Sequence, residues 1–337
     1  MRLWTSWMVS GLLAVCVLVV GCGPATFVVG VTPGDRELTE TVVVNDRGWR
    51  TRVAMIDVSG VITNGRQDGL FMEGINPVAE LHEKLARAAR DDRVCAVVLR
   101  INSPGGTVTA SEAMHGELVR FRERTGKPVV VAMMDVAASG GYYLACGADR
   151  IVAYPSTVTG SIGVIMQTVS LKPAMDRIGV EATTIRSGPI KGAGSPLMEM
   201  TQEQRAVFQG MIDAFHEQFV SVVDAGRSGL SRAEVKKLAD GRVYTGEQAA
   251  EVGLIDGLGD IYSAYADAKR LAGVKHADLV LYHRPLDYVA SPYAMDPSRG
   301  TGSGETTINL LSLRIDRSSL LGSPVTFGYL WTVDGLE

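Results

Sequence analysis

The sequence predicts an α/β fold, a parallel β-sheet domain with covering helices, and three observations carry that prediction. Residues 53–58, 94–101 and 129–134 are short, almost wholly apolar runs rich in β-branched side chains, the length of buried strands and not of helices. Between them, Val78, Leu81, Leu85 and Ala88, then Met114, Leu118 and Phe121, recur at helical spacing. Strands without polar alternation need cover on both faces, which crossover helices between successive parallel strands supply. The chain has 337 residues, 46% apolar and 21% charged, enough for one large or two modest domains. A net charge of −4 and the absence of any long like-charge run give no footprint for nucleic acid.

The first residues read as a targeting signal. Arg2 precedes an apolar stretch over residues 8–20, and Val19-Val20-Gly21-Cys22 follows. A cysteine straight after Gly21 resembles the end of a bacterial lipoprotein signal, which is cut before the cysteine that then carries lipid. Val19 stands where leucine is commoner. An uncleaved anchor is the alternative, but the stretch is short for a span of about 20 residues. Either way the body lies outside the cytoplasm, held at a membrane. The expected organisation is a signal over residues 1–21, a tether over 22–50 with an edge strand near 41–44, a main domain over 51–275 and an extension over 276–337. Cys16 and Cys22 belong to the signal; Cys95 and Cys146 sit in apolar surroundings and read as small core residues.

Along the main domain, Asn76-Pro77 opens a helix to Arg90, with proline in the first helical turn. Thr109 with Glu112 forms a capping-box pattern for the next helix, which stops at Gly126. Helical character over residues 142–148, a strand over 150–153, a helix over 173–178 and a strand over 181–186 follow. Residues 187–196 hold too many glycines, prolines and serines for a regular element. Thr201 with Gln204 caps a long helix with an apolar stripe of Val207, Met211, Phe215, Phe219 and Val222. Ser231 with Glu234, Thr245 with Gln248, and Asp260 open three more. Residues 276–283 read as a last strand and 291–305 as a linker. The apolar piece at 325–331 is expected to pack on the main domain or a neighbouring subunit.

The chemistry centres on Ser139, in Ala138-Ser139-Gly140-Gly141 after the 129–134 run. A serine at a strand-to-helix turn can be exposed as a nucleophile, with helix-start amides beside it; it can equally be an N-cap beside turn glycines. His82, His115, His216, His276 and His283 fall in helices or at the last strand, none in a glycine-rich loop. A lysine removed from water favours its neutral amine and then accepts a proton. Lys191 lies among Gly188, Pro189, Gly192 and Gly194, with no acidic residue over 187–197; by itself it is also an ordinary solvated loop lysine. Asn102-Ser103-Pro104-Gly105-Gly106 ends a strand, where ligands bind in open parallel sheets. Gly105 and Gly106, with the Gly140 amide, can form an oxyanion hole, or the turn is an ordinary Pro-Gly turn. Ser161 can orient the lysine amine or serve only its own turn.

Taken in order, Asn102-Ser103-Pro104-Gly105-Gly106, Ala138-Ser139-Gly140-Gly141-Tyr142-Tyr143, Thr159-Gly160-Ser161-Ile162-Gly163, and Ser187-Gly188 with Lys191 and Gly194-Ser195-Pro196 resemble the signal peptide peptidase A family. These are the serine–lysine peptidases of the bacterial envelope, and the match covers about residues 51–274. The resemblance implies a Clp/crotonase-like fold of the short, single-domain type, with Ser139 as nucleophile and Lys191 as general base. It implies homo-oligomers whose sites face a shared interior, so that Ser139 and Lys191 can pair across an interface. Two departures stand out: members commonly carry a transmembrane anchor, and often an acidic residue follows the lysine where this chain has Gly192. The resulting expectation is a lipid-anchored, periplasmic serine endopeptidase that degrades cleaved signal peptides or unfolded apolar segments and needs no metal or other cofactor. The alternatives are a crotonase-type acyl-CoA enzyme and a non-catalytic envelope scaffold. The export signal argues against the acyl-CoA reading, and the Ser139/Lys191 pair against the scaffold.

Overall fold

The computed structural model describes residues 37–65, 76–284, 289–294 and 327–331. The chain runs β1 (Thr39–Val44), β2 (Arg52–Ser59), α1 (Pro77–Arg90), β3 (Val94–Ser103), β4 (Gly105–Thr107), α2 (Val108–Thr125), β5 (Val129–Ala138) and α3 (Gly140–Ala145). It continues with β6 (Arg150–Ala153), β7 (Val158–Gly160), β8 (Ile165–Met166), α4 (Lys172–Arg177), α5 (Gln202–Gly226) and α6 (Arg232–Leu238). The remaining elements are β9 (Val243–Thr245), α7 (Gly246–Glu251), β10 (Gly257–Leu258), α8 (Ile261–Leu271), β11 (Asp278–His283) and β12 (Phe327–Leu330).

The main sheet has the order β1-β11-β2-β3-β5-β6-β10. Its pairs from β11 to β10 are parallel, and β1 closes one edge antiparallel to β11. Beyond its pairing with β6, β5 continues against β7, which pairs in turn with β9. The continuous apolar runs are explained by cover on both faces. Ala54, Ile56, Val97, Leu99, Val129 and Val131 pack with α1, α2 and α3, while Val53, Met55, Ala96, Val98, Val130 and Ala132 pack with α8. Each strand therefore sends successive side chains to opposite apolar layers. β11 lies inside the sheet, so strands from both flanks of residues 51–275 complete it.

Local signals account for most helix ends. Asn76 accepts from the Val78 and Ala79 amides, Gly126 ends α2 at φ 65°, and capping boxes form at Thr201, Ser231 and Thr245. The Thr109–Glu112 pattern does not cap: α2 begins at Val108, with Thr107 at the N-cap and no side-chain cap bond. The Thr107 amide donates to the Ile62 carbonyl, so strand pairing of β4 sets where the helix starts. The strand expected over 181–186 is absent; Ile185 is 96% exposed, and β propensity without a neighbouring strand does not hold an extended segment. On α5, Phe219, Val220 and Val223 are buried, but Val207 and Met211 are exposed, so the helix leaves the body at its N-terminal half.

One buried charge ties the segment at 289–294 to the sheet. Arg100 of β3 is 1% exposed and donates to Asp57 and to the Pro292 and Ala294 carbonyls. Removing the guanidinium leaves a carboxylate and the carbonyls without their donor. Arg100→Leu is therefore expected to destabilise the fold by about 2–4 kcal/mol, read from the urea unfolding midpoint.

Candidate active site

Three parallel strands finish side by side. Ser103 of β3 pairs with Ala137 of β5, and Ala138 pairs with Gly160 of β7. The next residues, the Gly105-Gly106 turn, Ser139 and Ser161, are thereby gathered at the carboxyl end of the sheet. Ser139 has φ 52° and ψ −115°, a conformation that costs a side-chain-bearing residue about 1–3 kcal/mol. It is held there by its amide, which donates to the Gly160 carbonyl at 2.8 Å, and by its carbonyl, which accepts from the Tyr143 amide at 2.8 Å. Although Ser139 occupies the N-cap position of α3, its hydroxyl makes no cap bond, which removes the capping explanation for this serine. Ser161 repeats the geometry at φ 51°, with its amide donating to the Arg242 carbonyl at 2.8 Å.

The glycines beside Ser139 are required by close approach of backbone at Gly105 and Gly106 and of a side chain at Gly140. A β-carbon at Gly106 would lie 1.8 Å from the Ile62 carbonyl oxygen, and one at Gly140 2.3 Å from Ser111 Oγ. One at Gly105, whose φ is 102°, would lie 2.0 Å from the Tyr329 carbonyl oxygen and 2.6 Å from the Gly140 amide. The three expected oxyanion-hole residues thus stand together, but not equivalently. The Gly105 amide donates to Ser103 Oγ at 3.1 Å, so Gly105 contributes room, and the amides left to face a ligand are those of Gly106 and Gly140.

A peptide strand already lies on this surface. β12 pairs antiparallel with β4, Tyr329 opposite Gly106 and Leu330 opposite Gly105, and with β8 on its other side. The Trp331 amide donates to the Pro104 carbonyl at 2.8 Å. The antiparallel alternation then makes Tyr329 and Gly106 the next mutually bonded pair, which seats the Tyr329 carbonyl at the Gly106 amide. A β-carbon on Gly140 would lie 3.1 Å from both that amide nitrogen and that carbonyl oxygen. The Tyr329 ring is fully buried, stacked on Tyr143 with centroids 5.2 Å apart and against Phe219 at 4.7 Å, and its hydroxyl donates to the Phe215 carbonyl at 2.8 Å. The sequence reading missed this role. The alternation of Phe327, Tyr329 and Trp331 with smaller or aliphatic neighbours is the strand signal that pointed to it.

Lys191 is not part of this cluster. It is exposed, in turns braced by its own amide to the Gly188 carbonyl at 3.2 Å and by Gln204 Nε2 to the Pro189 carbonyl at 3.0 Å. Among the described residues, no hydrogen bond joins it to Ser139 or Ser161 within the chain. Val169, Ile178 and Ile185 on the preceding stretch are 71%, 75% and 96% exposed. The histidines are engaged elsewhere: His82 with Glu117, His216 with the Ala239 carbonyl and His276 near Asp46. His283 bonds the Arg284 carbonyl, and His115 packs edge-on against Tyr143. Cys22 and the targeting signal lie outside the described residues.

The fold defines a class, the Clp/crotonase-like α/β sheet proteins, with a glycine-lined cleft beside Ser139. Known proteins narrow it. Residues 122–275 match peptidase family S49. A putative protease of Synechocystis sp. is 37% identical over 225 residues, 67% of this chain and 76% of that protein. A putative signal peptide peptidase SppA of Enterococcus faecium is 32% identical over 260 residues, 77% of this chain and 75% of that protein. Protease 4 of Salmonella typhi is 36% identical over 230 residues, 68% of this chain but 36% of its own length. The chain belongs to peptidase family S49, the signal peptide peptidase A family, and is a serine peptidase.

Two outcomes follow from this geometry. Gly140→Ala drives a methyl into Ser111 Oγ and disturbs the amide pair; kcat/KM for peptide cleavage should fall roughly 100-fold or more, with the far-UV circular dichroism spectrum kept. Burial lowers the His115 imidazole from its ordinary 6.5 to about 4, Arg122 adding to the shift. The unfolded chain then binds the extra proton between those values, so stability rises with pH across about 4 to 6.5 and is lost as pH falls through it. Urea midpoints at pH 4.5 and 7 should differ less in His115→Gln than in the parent.

Proposed function

We propose that the protein is a membrane-tethered serine endopeptidase of the cell envelope that cuts cleaved signal peptides and other unfolded apolar segments. In this reading Ser139 is the nucleophile and Lys191 of a neighbouring subunit the general base. The observation that carries it is β12, an extended backbone laid antiparallel on β4, with Tyr329 paired to Gly106 close to the Gly140 turn that follows Ser139. Recognition by strand addition reads main chain and suits unfolded peptides of varied sequence. A peptide strand in the cleft also favours a peptide over an acyl-CoA substrate.

The chemistry follows from the groups present. Ser139 Oγ attacks the scissile carbonyl as the Lys191 amine takes its proton, and the oxygen that gains charge is met by the Gly106 and Gly140 amides. The ammonium returns the proton to the leaving amine, and water, deprotonated by the same lysine, cleaves the acyl-serine ester. In this reading Ser161, on the turn beside Ser139, holds the amine without adding charge. The need for a second subunit is supported by an exposed Lys191 with no bond to Ser139 in its own chain, on an arm whose exposed apolar side chains suit contact with another copy. Oligomerisation would cover the arm and take Lys191 out of water.

Attachment is proposed at Cys22, through lipid; among the described residues no helix is long and apolar enough to cross a membrane. The substrate class is supported by the printed name of the Enterococcus relative, a putative signal peptide peptidase.

A fluorophosphonate probe tests the chemistry. It should label Ser139 in the parent, leave Ser139→Ala unlabelled, and react at least roughly 1,000-fold more slowly with both Lys191→Ala and Lys191→Arg, since a guanidinium does not give up its proton at working pH. Labelling of Ser139→Ala at the parental rate would remove the assignment. For the anchor, mass spectrometry of membrane-extracted protein should find a lipid-bearing Cys22 as the first residue; a chain that begins at an unmodified Met1 would contradict it.

A further inference from the structure

The loop between β1 and β2 is pinned as tightly as the cleft, at the opposite end of the sheet. Asp278 Oδ1 accepts from the Asp46 and Gly48 amides at 2.9 and 3.0 Å. The Thr51 amide donates to the Gly48 carbonyl at 2.8 Å, and the Asp278 amide to the Thr51 carbonyl at 2.9 Å. Gly48 lies against the start of β11, where a β-carbon would stand 2.3 Å from the Asp278 nitrogen. On either side of it the chain takes φ 55° at Arg47 and φ 44° at Trp49, conformations that side-chain-bearing residues rarely adopt. Packing does not compensate for them: Trp49 is 92% exposed, and Arg47 and Arg50 are exposed beside it. Lys269 Nζ, 2.6 Å from the Asp46 carboxylate, holds the one acid of the loop below its ordinary range. Nearby, Arg52 pairs with Glu40 and Arg93 with Asp91, whereas Arg47 and Arg50 pair with no carboxylate among the described residues. With exposed Arg90 and Lys275, the unpaired cations around the starts of β2, β3 and β11 outnumber the unpaired carboxylates, Asp92 and Asp278, in a chain of net charge −4.

We propose that this loop docks on the bilayer, with the Trp49 indole in the interfacial layer and Arg47 and Arg50 on the phosphates of anionic phospholipids. The inference rests on the reading of the protein as membrane-tethered, and it names the face that meets the membrane. An indole settles at headgroup level because its ring is apolar and its N–H polar, and a guanidinium meets a phosphate through two parallel N–H bonds. A loop already pinned gives up little freedom on docking. A second copy of the chain fits this surface less well, because a two-fold contact through the loop would set its arginines against their own like charges. The tether permits the docking. β1 runs antiparallel to β11, so the chain enters at the carboxyl end of the sheet and reaches the loop after a strand of six residues, about 20 Å. The sixteen residues over 22–37 can extend to at most about 55 Å, so the tether leaves either end of the sheet free to rest on the membrane. Trp49 and the cations select the amino end. Docking there sets Ser139, beyond the ten residues of β5, up to about 33 Å from the headgroups, where the cleft takes peptides from the aqueous side.

The test separates the docking from the tether. The full chain is reconstituted in vesicles of phosphatidylcholine, alone or mixed equally with phosphatidylglycerol, and the fluorescence of Trp49→Phe is subtracted from that of the parent to leave the Trp49 signal. In the anionic vesicles that signal should move to shorter wavelength and be quenched by lipids brominated just below the headgroup, and rising salt should release it. An arginine near an anionic surface is worth about a five-fold effect. The docked-to-free ratio, read from the quenched fraction, should therefore fall about 25-fold in Arg47→Gln/Arg50→Gln. Trp49 that stays in water while the protein floats with the vesicles would overturn the docking and leave the tether standing. A chain that floats with neither kind of vesicle would overturn both. Quenching as strong in the double variant, or without the anionic lipid, would overturn the assignment to anionic headgroups. Shielding of Trp49 from acrylamide to the same extent with and without vesicles would show another copy of the chain on this surface, and would overturn the proposal.

Discussion

Backbone meets backbone at Gly105 and Gly106, Ser111 Oγ closes on Gly140, none of the three has room for a β-carbon, and the rest of the site depends on that contact. For the Gly140 amide to come round to Gly106, the chain must turn sharply at the residue before it. Ser139 makes that turn at φ 52°, and the cost of roughly 1–3 kcal/mol is borne by the strands on either side. β3 and β5 are buried on both faces, and β7 gives Ser139 its amide partner through the Gly160 carbonyl. The strained serine is therefore held between deeply buried strands. Ser111 closes the cluster from α2, its hydroxyl donating to the Thr107 carbonyl at 3.0 Å.

The loop that carries Lys191, the proposed base, is built on the opposite principle. Residues around Lys191 are joined by short-range turns, and the neighbouring apolar side chains lie in water. α5 links the two regimes: its C-terminal half is in the core and forms the wall behind Tyr329, and its N-terminal half runs out to the lysine loop. An arm of this kind gains stability by burial against another surface. Under the proposed pairing across subunits, assembly would supply the desolvation that a neutral amine needs.

Much of this was legible in the sequence, for physical reasons. Buried parallel strands are continuous apolar runs, and glycines forced by close approach stand out beside them, so β2, β3, β5 and the turns at Gly105 and Gly140 announce themselves. Capping boxes at Thr201, Ser231 and Thr245 are local chemistry and fold locally. Thr109 misled because β4 pairing with Ile62, a long-range contact, fixes the helix start. Residues 181–186 misled because extended propensity needs a partner strand. The cage around Tyr329 joins Tyr143, Phe215 and Phe219 to a residue more than a hundred positions further on, and nothing local in a sequence encodes such a meeting. The separation of Ser139 from Lys191 is likewise a property of tertiary structure, since both motifs read as complete when taken alone.

The proposed pairing of the nucleophile of one subunit with the base of another is tested by subunit mixing. Ser139→Ala and Lys191→Ala proteins, each inactive alone, would be mixed, dissociated and reassembled, and peptide cleavage measured against reassembled parent. Pairing across an interface predicts recovered activity, up to about a quarter of the parental sites in an equal random mixture, because some interfaces join an intact serine to an intact lysine. Mixed oligomers that form and remain as inactive as either variant would show that each chain completes its own site, and would contradict the account.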